Sequence, residues 1–178
     1  MDGRRRSQWR AIPLIACAAA LLVLHGVVHP QPVGGDVLTG TLARIRQTGT
    51  VRIGYREYAV PFSFAGAGGT AHGYSIDLCL AVVDEIAEAT GGRPLRVEYR
   101  AVTPENRIDR VARGEVDLEC GATTNTPERR RSVAFSPVTF VTGTRLAVPR
   151  ASAIRSRSDL AGRRVAVARG TTNEAALR

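Results

Sequence analysis

Apolar residues recur along the chain at two spacings, and the two spacings alternate. Apolar positions three to four residues apart predict helices over 38–47, 75–90 and 103–114. Apolar positions two residues apart predict strands over 51–55, 95–99 and 116–120. In the first helix, Leu42 and Ile45 are expected to face the core. Strands separated by single helices indicate an α/β fold with a mainly parallel sheet.

Glycine, proline and serine residues predict where these elements begin and end. Gly49 ends the first helix, and Gly91 with Gly92 stops the second, which Ser75 is expected to cap. The glycines of the 66–69 loop are expected to turn a hairpin. A further helix is predicted to begin at 126–128, with Pro127 at its first position.

The first 35 residues are typical of an export signal or an N-terminal anchor. Four arginines and one aspartate precede residue 11, and residues 11–28 are mostly apolar. Cleavage is expected after 33–35, before Asp36. Two alternatives stay open: an uncleaved membrane anchor, because the apolar stretch is about long enough to span a bilayer, and a lipoprotein signal ending at Cys17.

Composition narrows the class of protein. The chain has 178 residues, 44% of them hydrophobic, which is ample for a packed core. Its net charge is +9; beyond residue 10 there remain 21 basic and 15 acidic residues, or +6. The basic residues are all arginine, they are scattered among acids, and aromatics make up only 5%. No nucleic-acid partner is therefore expected.

Cys79 and Cys120 lie in the part of the chain that would be exported, where oxidation is allowed. They are enough for one disulfide. Cys79 falls in an apolar helical pattern and Cys120 at the end of an apolar strand, so the favoured interpretation is two small buried side chains. No metal or nucleophile pattern surrounds either residue, and no cofactor is expected.

Polar residues follow the predicted strands, where the ligands of parallel α/β sheets gather. Arg56 follows the first strand, the turn at 121–125 follows the third, and Arg129 stands in the first turn of the next helix. A guanidinium group can bind a carboxylate through two parallel charge-assisted hydrogen bonds. Ligand contacts are therefore expected at this edge.

Several motifs together resemble the extracellular solute-binding proteins of the polar amino-acid type, over about residues 40–178. The most specific is Gly73-Tyr74-Ser75-Ile76-Asp77-Leu78, in which Ser75 stands where an acid is more usual. The stretches that resemble the glutamate/aspartate-binding branch are 56–57, 60–63, 103–108, 119–125, 128–129 and 141–145. The run from 158 to 172 is similar to the family's entry into its second lobe.

This resemblance implies a periplasmic-binding-protein-like two-lobed clamshell of the α/β class. Residues 36–144 would form a nearly complete first lobe, and 145–178 the start of a truncated second lobe. The implied function is capture without catalysis: a periplasmic or extracellular protein binds glutamate or aspartate and delivers it to the membrane subunits of an ABC transporter. The lobes would close over the ligand by a hinge motion.

The resemblance also assigns ligand contacts. Arg129 matches the arginine that holds the α-carboxylate, and Thr124 with the backbone of Ala122 matches positions that touch the amino and carboxylate groups. Ala122 replaces a residue that is commonly serine in this branch. Arg56 and Arg107 match positions that reach the ligand's side-chain carboxylate.

Two threonines and two neighbouring polar residues complete the expected site. Thr171 and Thr172 are placed where a strand gives way to a helix, so they would offer hydroxyl and backbone N–H groups to a carboxylate. Plain helix caps would look the same. Ser63 and Glu105 lie close enough in sequence to orient the arginines, whereas Arg130 and Arg131 are expected to face solvent.

Three alternatives to an importer subunit stay open. The same lobes occur as sensor modules of membrane proteins and as clamshell-fold dehydratases, although no catalytic base is placed by motif here. The chain ends inside a predicted helix without a glycine or proline stop. A fragment of a longer protein is therefore also expected.

Overall fold

The computed structural model describes residues 37–177. The predicted export signal, its cleavage site at 33–35 and the lipoprotein motif at Cys17 lie outside these residues. Within residues 37–177, no helix combines the length and the apolar character needed to cross a membrane.

The order of helices and strands follows the predicted alternation. The helices are α1 (Gly40–Thr48), α2 (Tyr74–Ala89), α3 (Arg107–Ala112) and α4 (Thr172–Ala175). The strands are β1 (Thr50–Tyr55), β2 (Tyr58–Ala59), β3 (Ser63–Ala65), β4 (Ala71–His72), β5 (Arg96–Ala101) and β6 (Leu118–Glu119). Short 3₁₀ turns lie at Ala67–Gly69, Arg129–Arg131 and Arg157–Leu160.

The central sheet is parallel, as predicted. β1 lies between β5 and β6, with Ile53 opposite Tyr99 on one side and Leu118 on the other. β6 is shorter than the predicted strand, but the Cys120 N–H still donates to the Gly54 carbonyl at 2.8 Å. All three strands therefore direct their carboxyl ends to one edge.

A small antiparallel sheet forms the predicted hairpin. β3 pairs with β2 and with β4, and the glycine-rich 3₁₀ turn connects β3 to β4. Gly68 and Gly69 have φ angles of 67° and 80°, which only glycine adopts without strain.

Three predicted helix starts are wrong in detail, and one of them is that of the helix predicted from residue 103, which begins at Arg107. Gly73, not Ser75, is the N-cap of α2, at φ 123°; a Cβ there would lie 2.6 Å from the Phe62 carbonyl oxygen. Ser75 lies in the first turn, and its hydroxyl donates to the Gly121 carbonyl at 2.8 Å. The helix expected from Pro127 is limited to the 3₁₀ turn at Arg129–Arg131.

The core lies between the parallel sheet and the helices α1 and α2. Its fully buried members include Ile45, Val51, Ile53 and Ile76, each at most 1% exposed. Leu42, which was expected to face inward, is 36% exposed. Gly49 ends α1 in the left-handed conformation at φ 63°, as predicted.

Cys79 and Cys120 form a disulfide, so the favoured interpretation of two free buried thiols is wrong. Their Cα atoms are 6.3 Å apart, within the usual range for a bridge. Cys79 lies in the middle of α2 and Cys120 directly after β6. The bond therefore joins the main helix to the chain just before the turn at 121–125.

Asp117 connects α1, β1 and the chain entering β6. Its side chain is 3% exposed and accepts hydrogen bonds from Arg44 Nη2 at 2.6 Å, Arg52 N at 2.8 Å and Arg52 Nη2 at 2.9 Å. A buried carboxylate held by two guanidinium groups is stable only while both partners stay in place.

Replacing Asp117 by asparagine is expected to destabilise the fold by about 2 kcal/mol, because Arg44 and Arg52 lose their counter-charge. The loss is limited because both guanidinium groups remain partly exposed to water. Urea denaturation measures the change. The control is Glu115→Gln, because Glu115 forms an exposed pair with Arg110 at 3.6 Å, which is worth at most about 1 kcal/mol. Equal effects of the two variants would contradict the prediction.

Candidate functional site

The carboxyl ends of the parallel strands place several predicted ligand residues along one edge. Arg56 directly follows β1, and the turn at 121–125 follows β6, the neighbouring strand. Ser63 is fully buried; its hydroxyl accepts from the Arg56 N–H at 2.9 Å and donates to the Arg56 carbonyl at 3.1 Å. Ser63 thus fixes the backbone of Arg56, from which the guanidinium group extends.

Two backbone carbonyls hold the guanidinium group of Arg129. Nη1 donates to the Thr124 carbonyl at 2.9 Å, and Nη2 donates to the Gly170 carbonyl at 3.2 Å. Arg130 and Arg131 are exposed, as expected for consecutive residues of one turn, and Arg130 Nε donates to Asn125 Oδ1. Only Arg129 of the three contacts both the turn and the segment before α4.

The threonines of the predicted site divide into two roles. Thr124 and Thr172 hydroxyl oxygens are 3.2 Å apart, so the turn after β6 meets the start of α4. The Thr171 hydroxyl is the N-cap: it accepts from the Glu174 N–H at 3.2 Å and donates to the Ala168 carbonyl at 2.7 Å. The strand expected before Thr171 is not formed, since residues 163–168 carry no assigned strand.

A cavity of about 330 Å³ lies beside this turn. Residues 121–125 line one side, residues 135–142 the other, and Phe62 and Ser75 complete the wall. Of the seven predicted ligand residues, Ala122 and Thr124 line this cavity and the other five do not. A larger cavity of about 720 Å³, formed by residues between 157 and 177, contains none of the seven predicted ligand residues.

Arg107 begins α3 and is 2% exposed. Its Nε has no hydrogen-bond partner among residues 37–177. Burial lowers the pKa of Arg107, and the nearby Glu119 carboxylate opposes that change, whereas Arg129 and Arg56 add to it. Arg107 therefore belongs to the same charge cluster as the two other predicted arginines.

Glu119, at the end of β6, is the acid of this cluster, and its role was missed from the sequence. Its Oε1 atom is buried and lacks a hydrogen-bond partner within the described chain, as does Thr123 Oγ1. Burial raises the pKa of Glu119, while the charges of Arg107, Arg56 and Arg129 oppose the rise. The available signal was an acid at the last position of β6, two residues before the turn at 121–125.

Glu105, which was expected to orient the arginines, is exposed at the rim. Its own backbone N–H and the Thr103 hydroxyl hold the pKa of its carboxyl below the usual value, with smaller contributions from Arg169 and Arg56. Gly170 packs closely on it, since a Cβ there would lie 3.0 Å from the Glu105 backbone. Over residues 37–177, no group of three or more His, Cys, Asp or Glu residues could hold a metal ion.

Comparison with known proteins identifies the family. The family described as bacterial extracellular solute-binding proteins, family 3, matches residues 51–175. The L-glutamate/L-aspartate-binding protein of Pseudomonas aeruginosa is 43% identical over 148 residues, which are 83% of this chain and 49% of that protein. The glutamate/aspartate import solute-binding protein of Salmonella typhimurium is 37% identical over 161 residues, 89% of this chain and 53% of that protein.

The chain spans about half the length of the curated relatives it matches. A solved structure, the cysteine-binding protein from Campylobacter jejuni, aligns with a TM-score of 0.54 and 26% identity over 68% of this chain and 48% of that chain. The family match covers well over half of this chain. The protein belongs to the bacterial extracellular solute-binding proteins, family 3.

Proposed function

We propose that this protein captures L-glutamate or L-aspartate outside the cytoplasmic membrane and delivers it to the membrane subunits of an ABC importer. One observation carries the proposal: Arg56, Arg107 and Arg129 follow the carboxyl ends of three neighbouring parallel strands, and two backbone carbonyls hold Arg129 there. Several guanidinium groups at one edge of the sheet favour a ligand with more than one carboxylate. The two relatives from Pseudomonas aeruginosa and Salmonella typhimurium, which are named for glutamate and aspartate, support this choice.

Each residue of the site has a proposed role. Arg129 holds the α-carboxylate, because its guanidinium group is already oriented by the Thr124 and Gly170 carbonyls. Arg56 and Arg107 bind the side-chain carboxylate. The seven proposed ligand residues are Arg56, Arg107, Ala122, Thr124, Arg129, Thr171 and Thr172.

The backbone and the hydroxyl groups complete the proposed contacts. Ala122 contributes through its backbone, and Thr124 and Thr172 through hydroxyl groups that lie 3.2 Å apart. The Thr171 hydroxyl is already used as a helix cap, so Thr171 is proposed to act through its backbone N–H.

The proposed mechanism is capture without a chemical step. Residues 36–144 act as the first lobe and residues 145–178 as the beginning of the second lobe. The lobes close over the ligand, and the closed form docks on the transporter in the periplasm.

A thermal melt of the purified protein tests the proposal. L-glutamate or L-aspartate at a hundredfold excess over Kd should stabilise the folded state by about 2.7 kcal/mol and raise Tm by about 5–10 °C. L-glutamine should give a much smaller rise, because its neutral amide leaves an arginine without a counter-charge. A rise with L-glutamine equal to that with L-glutamate would contradict the dicarboxylate assignment, and no rise with any of the three would contradict the function.

A further inference from the structure

Glu119 lies directly beneath the turn that carries the proposed ligand contacts. A Cβ built on Gly121 would lie 2.5 Å from Glu119 Oε1 and 3.1 Å from Arg56 Cγ. Gly121 therefore leaves just enough space for the acid and the arginine to pack under the turn. The Glu119 carboxylate therefore lies against the start of the turn, and it is not one of the proposed ligand contacts.

Three arginines from different elements act electrostatically on Glu119: Arg56 after β1, Arg107 in α3 and Arg129 in the chain after β6. The exposed carboxylate of Glu105 at the rim also acts on Arg107 and Arg56. The Glu119 carboxylate is therefore one of two acids that share these arginines with a ligand carboxylate.

Three buried polar atoms of this cluster have no hydrogen-bond partner within residues 37–177. These atoms are Glu119 Oε1, Arg107 Nε and Thr123 Oγ1. Burial favours the protonated acid, whereas the three arginines favour the ionised form. The protonation of Glu119 thus depends on the balance between burial and the arginine charges. A negative charge that binds to the arginines shifts this balance.

We propose that Glu119 is a positioning residue that serves as counter-ion of the arginines in the empty site and takes up a proton when a dicarboxylate binds. This inference rests on the proposed function. The ligand's carboxylates neutralise the same guanidinium groups and repel the Glu119 carboxylate, which raises its pKa. The protonated acid can then donate its O–H to a neighbouring acceptor such as Thr123 Oγ1.

The sign of the pH dependence follows from this linkage. Because the bound form holds more protons than the empty form, the affinity for L-glutamate rises as pH falls through the range in which Glu119 titrates. Both carboxylates of free L-glutamate remain ionised above about pH 5, so they add little to the change. We expect Kd to fall about tenfold between pH 7.5 and pH 5.5. Uptake of one whole proton on binding throughout this range would lower Kd about tenfold for each pH unit.

Isothermal titration calorimetry with L-glutamate tests the proposal. Titrations in buffers of different ionisation enthalpy, between pH 5.5 and 7.5, measure the protons taken up on binding. The wild type should take up a fraction of a proton that varies with pH. Glu119→Gln, which imitates the protonated acid, should take up none and should bind at pH 7.5 as tightly as the wild type at pH 5.5.

Two control variants leave the cluster intact. Glu98→Gln removes a β5 carboxylate that pairs with Arg96 and Arg100, and His72→Gln removes the imidazole of the hairpin. Both should keep the proton uptake of the wild type. Loss of the uptake in His72→Gln would assign it to the histidine and overturn the proposal.

The outcomes separate this role from the proposed function. If wild-type protein binds L-glutamate with no proton uptake and a pH-independent Kd, the role of Glu119 is refuted and the function stands. If the wild type binds neither L-glutamate nor L-aspartate, both are refuted. Should Glu119→Gln fail to fold, the wild-type pH profile with the His72→Gln control still decides.

Discussion

Replacing Arg129 by glutamine should weaken L-glutamate binding at least about a hundredfold, or about 3 kcal/mol. The guanidinium group is held by the Thr124 and Gly170 carbonyls at 2.9 and 3.2 Å, so it is oriented before the ligand arrives. An oriented donor pair loses little entropy on binding, which increases its contribution to affinity. A glutamine amide offers neither the charge nor the two parallel donors. Isothermal titration calorimetry measures the change.

The same turn supplies a matched control. Arg131 is exposed and two residues from Arg129, so Arg131→Gln makes the same chemical change on the solvent side. It should leave the Kd within about twofold, with at most a small change from long-range charge at low salt. Equal losses in the two variants would show that net charge attracts the ligand and that Arg129 makes no specific contact. The ligand-free melting temperatures of both variants separate a binding effect from unfolding.

The parallel sheet was predictable because local spacing determined both the strands and their order. Valine and isoleucine alternate in β1 and recur at helical spacing in α2, and glycines mark the ends of the elements. Once β1 and β6 are parallel neighbours, Arg56 and the turn at 121–125 must share an edge. The position of the arginines thus follows from the sequence pattern.

The features that were missed depend on contacts distant in sequence. Ser75 has the right chemistry for a helix cap. However, the Phe62 carbonyl approaches the chain closely two residues earlier, at Gly73, so the cap position requires a glycine. Glu119 is separated by 63 residues from Arg56, and nothing local indicates that its carboxylate is buried among arginines. Spacing along the chain cannot reveal such pairings.

Two bonds that could not be predicted from the sequence attach the turn at 121–125 to α2. The Ser75 hydroxyl donates a hydrogen bond to the Gly121 carbonyl. Cys120, the residue before Gly121, is joined to α2 by its disulfide with Cys79. The turn at 121–125 is therefore attached to α2 at two adjacent points. A rigid turn keeps the backbone of Ala122 and the Thr124 carbonyl in place for the arginines and the proposed ligand.

Reduction of the Cys79–Cys120 disulfide is expected to lower the free energy of unfolding by about 4 kcal/mol. The bond closes a loop of 41 residues, and removing the cross-link restores the freedom of that loop to the unfolded chain. Both sulfur atoms are attached to ordered elements, α2 and the chain after β6, so the folded state gains little freedom in return. Urea denaturation with and without a thiol reductant measures the change.

The double variant Cys79→Ser/Cys120→Ser gives the control, since it should unfold at the same urea concentration as the reduced wild type and should not respond to reductant. Because the bond also fixes the start of the 121–125 turn, reduced protein that is still folded should bind L-glutamate more weakly than oxidised protein. An unfolding midpoint that does not move on reduction would mean that the packing of α2 against the sheet holds the turn without the covalent bond. In that case the hydrogen bond from Ser75 to the Gly121 carbonyl would be the main remaining attachment of the turn to α2.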